Sequence, residues 1–175
     1  MTAKYILIQL IGLSGTLLFF FSYQCKSNRV LFRVQFASYL IYTLHLFLLG
    51  ATTGAVSYVV NMLRSFCLGS KWKTARGEGM CAVLCLMQLC VLALTWSGWT
   101  SVLPVAANIA STIAGYTDNP RKIRAAAMFV NSPLWMLYNV LSGSLAGILD
   151  EIVTEISLIV SIARFGWKAL DRVEE

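Results

Sequence analysis

Three carboxylates, Asp150, Glu151 and Glu155, interrupt a run of the chain, residues 145–165, that is otherwise almost wholly apolar. On insertion scales a charged side chain at membrane depth costs roughly 2.5–3.5 kcal/mol, so it persists where it faces a cavity or a partner. If the run is a helix entering at about residue 145, a rise of ~1.5 Å per residue places Glu155 near mid-depth. Glu151 then lies one turn nearer the entry on the same face. Asp150, turned by about 100° from Glu151, is expected to line only an outer vestibule. A carboxyl in apolar surroundings favours its neutral form, which makes Glu155 and Glu151 the proton-coupling candidates. The plainer alternative for Glu155 is a neutral acid hydrogen-bonded between helices.

Other polar and aromatic residues fall at similar depth in other apolar runs. Tyr42, Tyr58, Asn61, Asn108, Trp135 and Asn139 are among them. Asn108 and Asn131 must each find an amide partner, and bonding between helices is the usual solution. His45, the single histidine, comes late in its run and reads as an interfacial residue, with proton acceptance as the alternative. Arg64 either snorkels to the inner surface or pairs with Glu155. Pro133 removes a backbone donor and bends its helix, a natural hinge. Cys81 and Cys85 share a helix face, but no histidine or further cysteine completes a ligand set. With no nucleophile–base pair and no phosphate-cradling glycine loop, the sequence assigns no catalytic residue, no metal and no cofactor. An enzyme is not expected.

The elements that must position these residues follow from composition. With 58% hydrophobic and 13% charged residues, the chain departs from soluble domains, in which roughly a quarter of residues are charged. A hydrocarbon core of ~30 Å needs ~20 apolar residues per helix. Seven such runs are predicted at about 5–22, 29–49, 52–69, 79–95, 99–116, 122–142 and 145–165. They are continuous, not alternating, so they are helices that satisfy their own backbone groups. Residues 5–22 follow a thin positive region and read as a retained span, not a cleaved leader. Of the 14 basic residues, all but Lys4 fall in or beside the turns at 23–28, 70–78 and 117–121 or in the C-terminal tail. Basic residues stay cytoplasmic, so the N-terminus is expected outside and the C-terminus inside. The net charge of +6 is then a topology signal, and no nucleic-acid partner is implied. The five cysteines lie in or at the edges of helices, where a disulfide framework is not expected. Trp72, Trp96, Trp99 and Trp167 mark span ends as an aromatic belt.

Residues 7–66 overlay residues 100–159 without a gap. Tyr23 and Tyr116 each end a first span and precede a basic cluster, and Gly50-x-x-x-Gly54 overlays Gly143-x-x-x-Gly147. Such repeats decide an architecture. The fourth run has no counterpart, and its task is to restore orientation between two three-helix units, making the repeat parallel. The expected organisation is therefore 1–69, a first three-helix bundle; 70–98, a cytoplasmic loop and linker helix; 99–165, a second bundle; and 166–175, a cytoplasmic tail.

This 3+1+3 plan, with Trp135-Met-Leu-Tyr138 late in a second helix, resembles the SWEET and PQ-loop (MtN3-like) transporter superfamily. More closely, the chain resembles the YgjV-type bacterial inner membrane proteins, through Gly115-Tyr116-Thr-Asp-Asn-Pro-Arg-Lys and Asn131-Ser-Pro-Leu-Trp135-Met-Leu-Tyr138-Asn139. Neither first helix carries the Pro-Gln pair that names the PQ-loop group; Tyr23-Gln24 and Tyr116-Thr117 stand there. The resemblance implies that Trp135 faces substrate, together with a third-helix position that is an Asn in SWEET-like bundles and is Glu151 here; Tyr42 and Tyr58 stand at the matching places of the first unit, and with Asn61, Asn108 and Asn139 they complete the candidate substrate contacts. A sugar stacked on Trp135 and bonded through Asn139 or Asn61 is one ligand compatible with this, and a cationic or protonated ligand is the better fit to two carboxylates.

The expected function is a small polar solute carrier of the bacterial inner membrane. Two three-helix units would alternate access to a site built from Asn61, Trp135, Asn139, Glu151 and Glu155, in contact with lipid and free to form a homo-oligomer. The alternative is a receptor or assembly factor that uses the same bundle to bind a ligand or partner without transport, since fold does not fix function.

Overall fold

The computed structural model describes residues 3–167, and they fold as seven helical rods without a strand among the described residues. The expected tail from 168 to 175 lies outside them. The rods are α1 (Ala3–Tyr23), α2 (Asn28–Leu49), α3 (Thr52–Gly69), α4 (Glu78–Leu94), α5 (Val102–Tyr116), a sixth rod made of α6 (Pro120–Ala126) and α7 (Ser132–Leu141), and α8 (Leu145–Phe165). Each matches a predicted run to within a few residues. Long uninterrupted apolar stretches leave little choice of boundary, and local capping fixes the ends. Asn119 accepts from the amides of Arg121 and Lys122, with Pro120 in the first turn of α6 where no donor is missed. Ser144 accepts from the Gly147 amide at the start of α8.

The turns after α2 and α7 have one geometry. Gly50 and Gly143 both take positive φ, 78° and 70°. The following amides then reach back to a carbonyl five residues earlier, Ala51 to Leu46 at 3.0 Å and Ser144 to Asn139 at 2.9 Å, as in a Schellman closure. The sixth rod is interrupted where its proline predicts. Pro133 has no amide to give and crowds the carbonyl of Phe129, and the helix takes up the misfit as a π turn over Ala127–Asn131 before α7 restarts at Ser132.

The rods form a closed ring. α1 packs on α2, α2 on α3, α3 on α5, α5 on α7, α7 on α8, and α8 back on α1; α4 sits outside it against α3 and α5. The interior is polar and the exterior apolar. Buried polar side chains are as numerous as buried apolar ones, whereas Leu7, Leu17, Leu40, Leu86, Ile113, Phe129 and Ile159 are among the large apolar residues left exposed. A surface of this kind is suited to lipid, since the expensive polar groups are turned inward. Among the described residues, only α1 and α2 are long and apolar enough to cross a membrane by length and composition alone. The others fall short for local reasons: α8 carries its three carboxylates, α3 carries Asn61 and Arg64, and the sixth rod is split by the π turn. Trp72, Trp96 and Trp99 lie exposed at or beyond rod ends.

Candidate functional site

The inward face of α8 consists of Gly147, Asp150, Glu151, Thr154, Ser157, Leu158 and Ser161, three- and four-residue steps that form one stripe. Asp150 and Glu151 are 3% and 4% exposed, so both carboxyls belong to the ring interior. This corrects the placing of Asp150 in an outer vestibule: six rods around one centre leave each a broad inner arc, and neighbouring positions both fit within it. Glu155 stands at the edge of the arc, half-buried. Of the two proton-coupling candidates, the structure therefore brings Glu151 to the centre and leaves Glu155 at the margin.

Facing the carboxyls is an aromatic wall drawn from both halves of the ring. Tyr58 of α3 stacks on Trp135 of α7, with centroids 4.3 Å apart and planes 27° from parallel. Tyr42 meets Tyr58 edge to face at 5.8 Å, and Tyr39 meets it at 5.2 Å. The Thr16 and Tyr42 hydroxyls bond each other at 2.6 Å and stand beside the Asp150 carboxyl. Ser132, set by the end of the π turn, donates to Glu151. Between wall and carboxyls is a chamber lined by Phe19, Tyr39, Tyr58, Trp135, Asp150, Glu151 and neighbours, with a volume of about 10 Å³. That is room for at most about one water.

The expected amide contacts form a different group. Asn61 Nδ2 donates to Asn108 Oδ1 at 2.7 Å, and the Trp135 indole N–H donates to the same oxygen at 3.1 Å. Gln88 of α4, buried completely, extends this chain by donating to the Ser57 carbonyl at 3.1 Å and to Asn61 at 3.4 Å. Asn61 and Asn108 thus brace the indole from behind. Asn139 packs against Gly147 near one end of the ring, away from the stack. Asn131 donates to the Ala107 carbonyl and lines the chamber. Sequence reasoning missed Gln88, Thr16, Tyr39 and Ser132; the one available signal was a lone amide or hydroxyl in an apolar stretch.

Two further expectations are overturned. His45 is fully buried, not interfacial: Nδ1 lies 2.8 Å from the Ile8 carbonyl and Nε2 2.9 Å from the Ser144 hydroxyl. A carbonyl only accepts, so Nδ1 carries the proton, and Nε2 of the neutral ring accepts from Ser144. The ring is a strut joining α1, α2 and the start of α8. Arg64 neither snorkels nor pairs with Glu155. It is 2% exposed and donates through Nη2 to the Tyr39 hydroxyl at 2.8 Å, with its guanidinium 5.6 Å from the Tyr39 ring centre. Its Nε and Nη1 have no hydrogen-bond partner.

Both ends of the ring are tied. At the end bearing Gly50 and Gly143, the Gly54 amide donates to the Tyr138 hydroxyl at 3.0 Å, and His45 reaches Ser144. At the other end, Asn28 donates to the Asp118 carbonyl at 3.0 Å, Asp118 pairs with Arg76, and Gln24 donates to Ser157. Arg124, wholly buried, spans from the Ser161 hydroxyl to the carbonyls of Tyr23 and Cys25 at the end of α1. Burial pushes the Cys25 thiol up from its ordinary range, against the opposing pull of Arg124.

No curated protein and no solved structure matches the chain. A sequence profile described as bacterial inner membrane protein, Imp-YgjV, matches residues 6–169, and that span contains all of the helix ring but the first residues of α1 and every side chain of the chamber. The chain belongs to the Imp-YgjV family of bacterial inner membrane proteins.

Proposed function

We propose that the protein is a multi-pass carrier for a small polar solute, built as two parallel three-helix units joined by α4, with a SWEET-like plan and an outside N-terminus. The observation that carries this reading is a buried acid–aromatic chamber closed at both ends within a ring whose surface is apolar. A carrier needs a state occluded from both sides, and a binding site inside it.

The packing order supports the two-unit reading. Exchanging α1, α2 and α3 for α5, α7 and α8 maps the ring onto itself, as a twofold axis along the membrane normal requires. The two glycine turns match in dihedral and in hydrogen bonding. Across the seam, position 45 of the first unit reaches the start of α8 and the overlaid position 138 reaches the start of α3. Glu151 and Asp150 are the proton-coupling candidates that the geometry favours, with Glu155 at their flank.

The test is accessibility from each face. Thr154, which lines the chamber, is replaced by Cys in a cysteine-free background and treated with an impermeant maleimide on right-side-out and inverted vesicles. A carrier is labelled from both faces in turn. Labelling from one face alone, with no solute uptake into proteoliposomes from a broad panel, selects the receptor or assembly factor instead.

A further inference from the structure

The geometry points to a small organic cation as the solute of the chamber, its ammonium head held between the Asp150 and Glu151 carboxyls and the rings of Tyr58 and Trp135. This rests on the carrier reading and names its substrate class. It is argued from how charge and hydrogen-bonding capacity are shared inside the ring.

The two carboxyls have no ion-pair partner within 4.0 Å among the described residues. Asp150 Oδ1 is buried with no hydrogen-bond partner and belongs to a residue lining the chamber. A buried carboxylate without a counter-charge is strongly unfavourable, and a cation entering the chamber supplies the missing charge. Several donors that a neutral polyol would use are already engaged. The indole N–H and the Asn61 amide both go to Asn108, and the Ser132 hydroxyl goes to Glu151. An anionic solute would meet both carboxyls. The carboxyl oxygens and aromatic rings of the lining are the pair that recognises ammonium groups.

The wall already carries one cation. Arg64 lies over the Tyr39 ring and bonds its hydroxyl, so these tyrosines are disposed to hold positive charge in a buried setting. In the present state the chamber is about 10 Å³. Admitting even a trimethylammonium head requires Tyr58 and Trp135 to part, and binding is therefore linked to opening of the ring.

The experiment uses the full chain in detergent with radiolabelled choline and methylamine. Competitors are 3,3-dimethyl-1-butanol, which is the neutral isostere of choline, glucose and glutamate. Saturable binding of either cation that the neutral isostere fails to displace supports the proposal, as does a loss of roughly tenfold or more in Asp150→Asn or Glu151→Gln. Thermal unfolding of each variant shows whether it is folded, and either variant alone suffices. The proposal is overturned by displacement with the neutral isostere as effective as with the cation, by binding of glucose or glutamate in preference, or by binding of neither cation. Proteoliposome uptake separates the two readings. A cation that binds but does not cross removes the carrier and leaves the site, whereas uptake of a neutral solute or an anion keeps the carrier and removes the cation.

Discussion

Replacing Tyr138 by Phe asks whether one hydrogen bond holds the ring shut at the end bearing Gly50 and Gly143. The Gly54 amide is among the first amides of α3, which have no partner within their own helix, and the Tyr138 hydroxyl accepts from it at 3.0 Å. A buried donor left unsatisfied costs about 1–3 kcal/mol. The lower end of that range applies, because a vestibule of about 240 Å³ lined by Gly50, Thr53, Thr95, Ser97, Tyr138 and Ser142 adjoins the bond and lets water replace the hydroxyl. About 1 kcal/mol corresponds to roughly a fivefold change in the ratio of closed to open ring. With Thr154→Cys as reporter, Tyr138→Phe should speed maleimide labelling roughly fivefold from the Gly50/Gly143 face and leave the opposite face unchanged. Tyr116→Phe, whose hydroxyl donates to the Ala75 carbonyl at the other end, serves as the control. An unaltered rate from both faces means the bond is not a seal, and a faster rate from the opposite face refutes the assignment of the two ends.

Three further outcomes follow from individual contacts. Gly147→Ala brings a methyl within 2.3 Å of Asn139 Oδ1 and should lower stability in detergent by about 1–3 kcal/mol, whereas Gly79→Ala, with nothing within 4 Å, should be neutral or stabilise by up to ~1 kcal/mol. Asp118→Asn removes the Arg76 ion pair, whose carboxylate side is 43% exposed; asparagine tolerates the positive φ of 51°, so a thermal scan should register less than about 1 kcal/mol. In a single-cysteine protein retaining Cys25, alkylation should be slow at neutral pH and keep rising beyond the ordinary thiol range near 8.5. The cause is that the thiol is pushed up by burial and only the thiolate reacts; a plateau by pH 8.5 contradicts the packing of that turn.

The rods were legible because continuous apolar runs bounded by basic turns and glycines admit few alternatives, and Gly50 and Gly143 closed as their overlay predicts. Burial was legible too: Glu151, Trp135, Tyr58 and Asn108 do lie inside the ring. What sequence could not supply was azimuth. A period of 3.6 separates Asp150 from Glu151 by about 100°, which implies different surroundings only if the inner arc of α8 is narrow. The ring makes that arc wide, and Glu155, not Asp150, falls at its edge. His45 was assigned by depth to an interface, yet it shares a face with Ser38 and Tyr42, all three fully or almost fully buried. Gln88 escaped notice because the overlay gives α4 no counterpart, and a helix without a repeat partner invites a purely topological role.

That role for α4 is incomplete. On the two-unit reading, the ends of the ring are built alike, with matched glycine turns and matched reaches across the seam at His45 and Tyr138. Two like clamps at one end open it fully only if both release, which favours movement of whole units over local fraying. The centre is built unlike: Asp150 and Glu151 oppose Ser57 and Tyr58 in the overlay, so one half supplies the carboxyls while both supply rings. Such asymmetry would leave the stacked pair poorly braced, because Trp135 and Tyr58 belong to different units. Gln88 closes that gap. Through Asn61 and Asn108 it connects the one helix outside the ring to the indole of the stack, and α4 packs on both α3 and α5. The helix that corrects the orientation of the second unit therefore also sets the distance between the two halves of the aromatic wall.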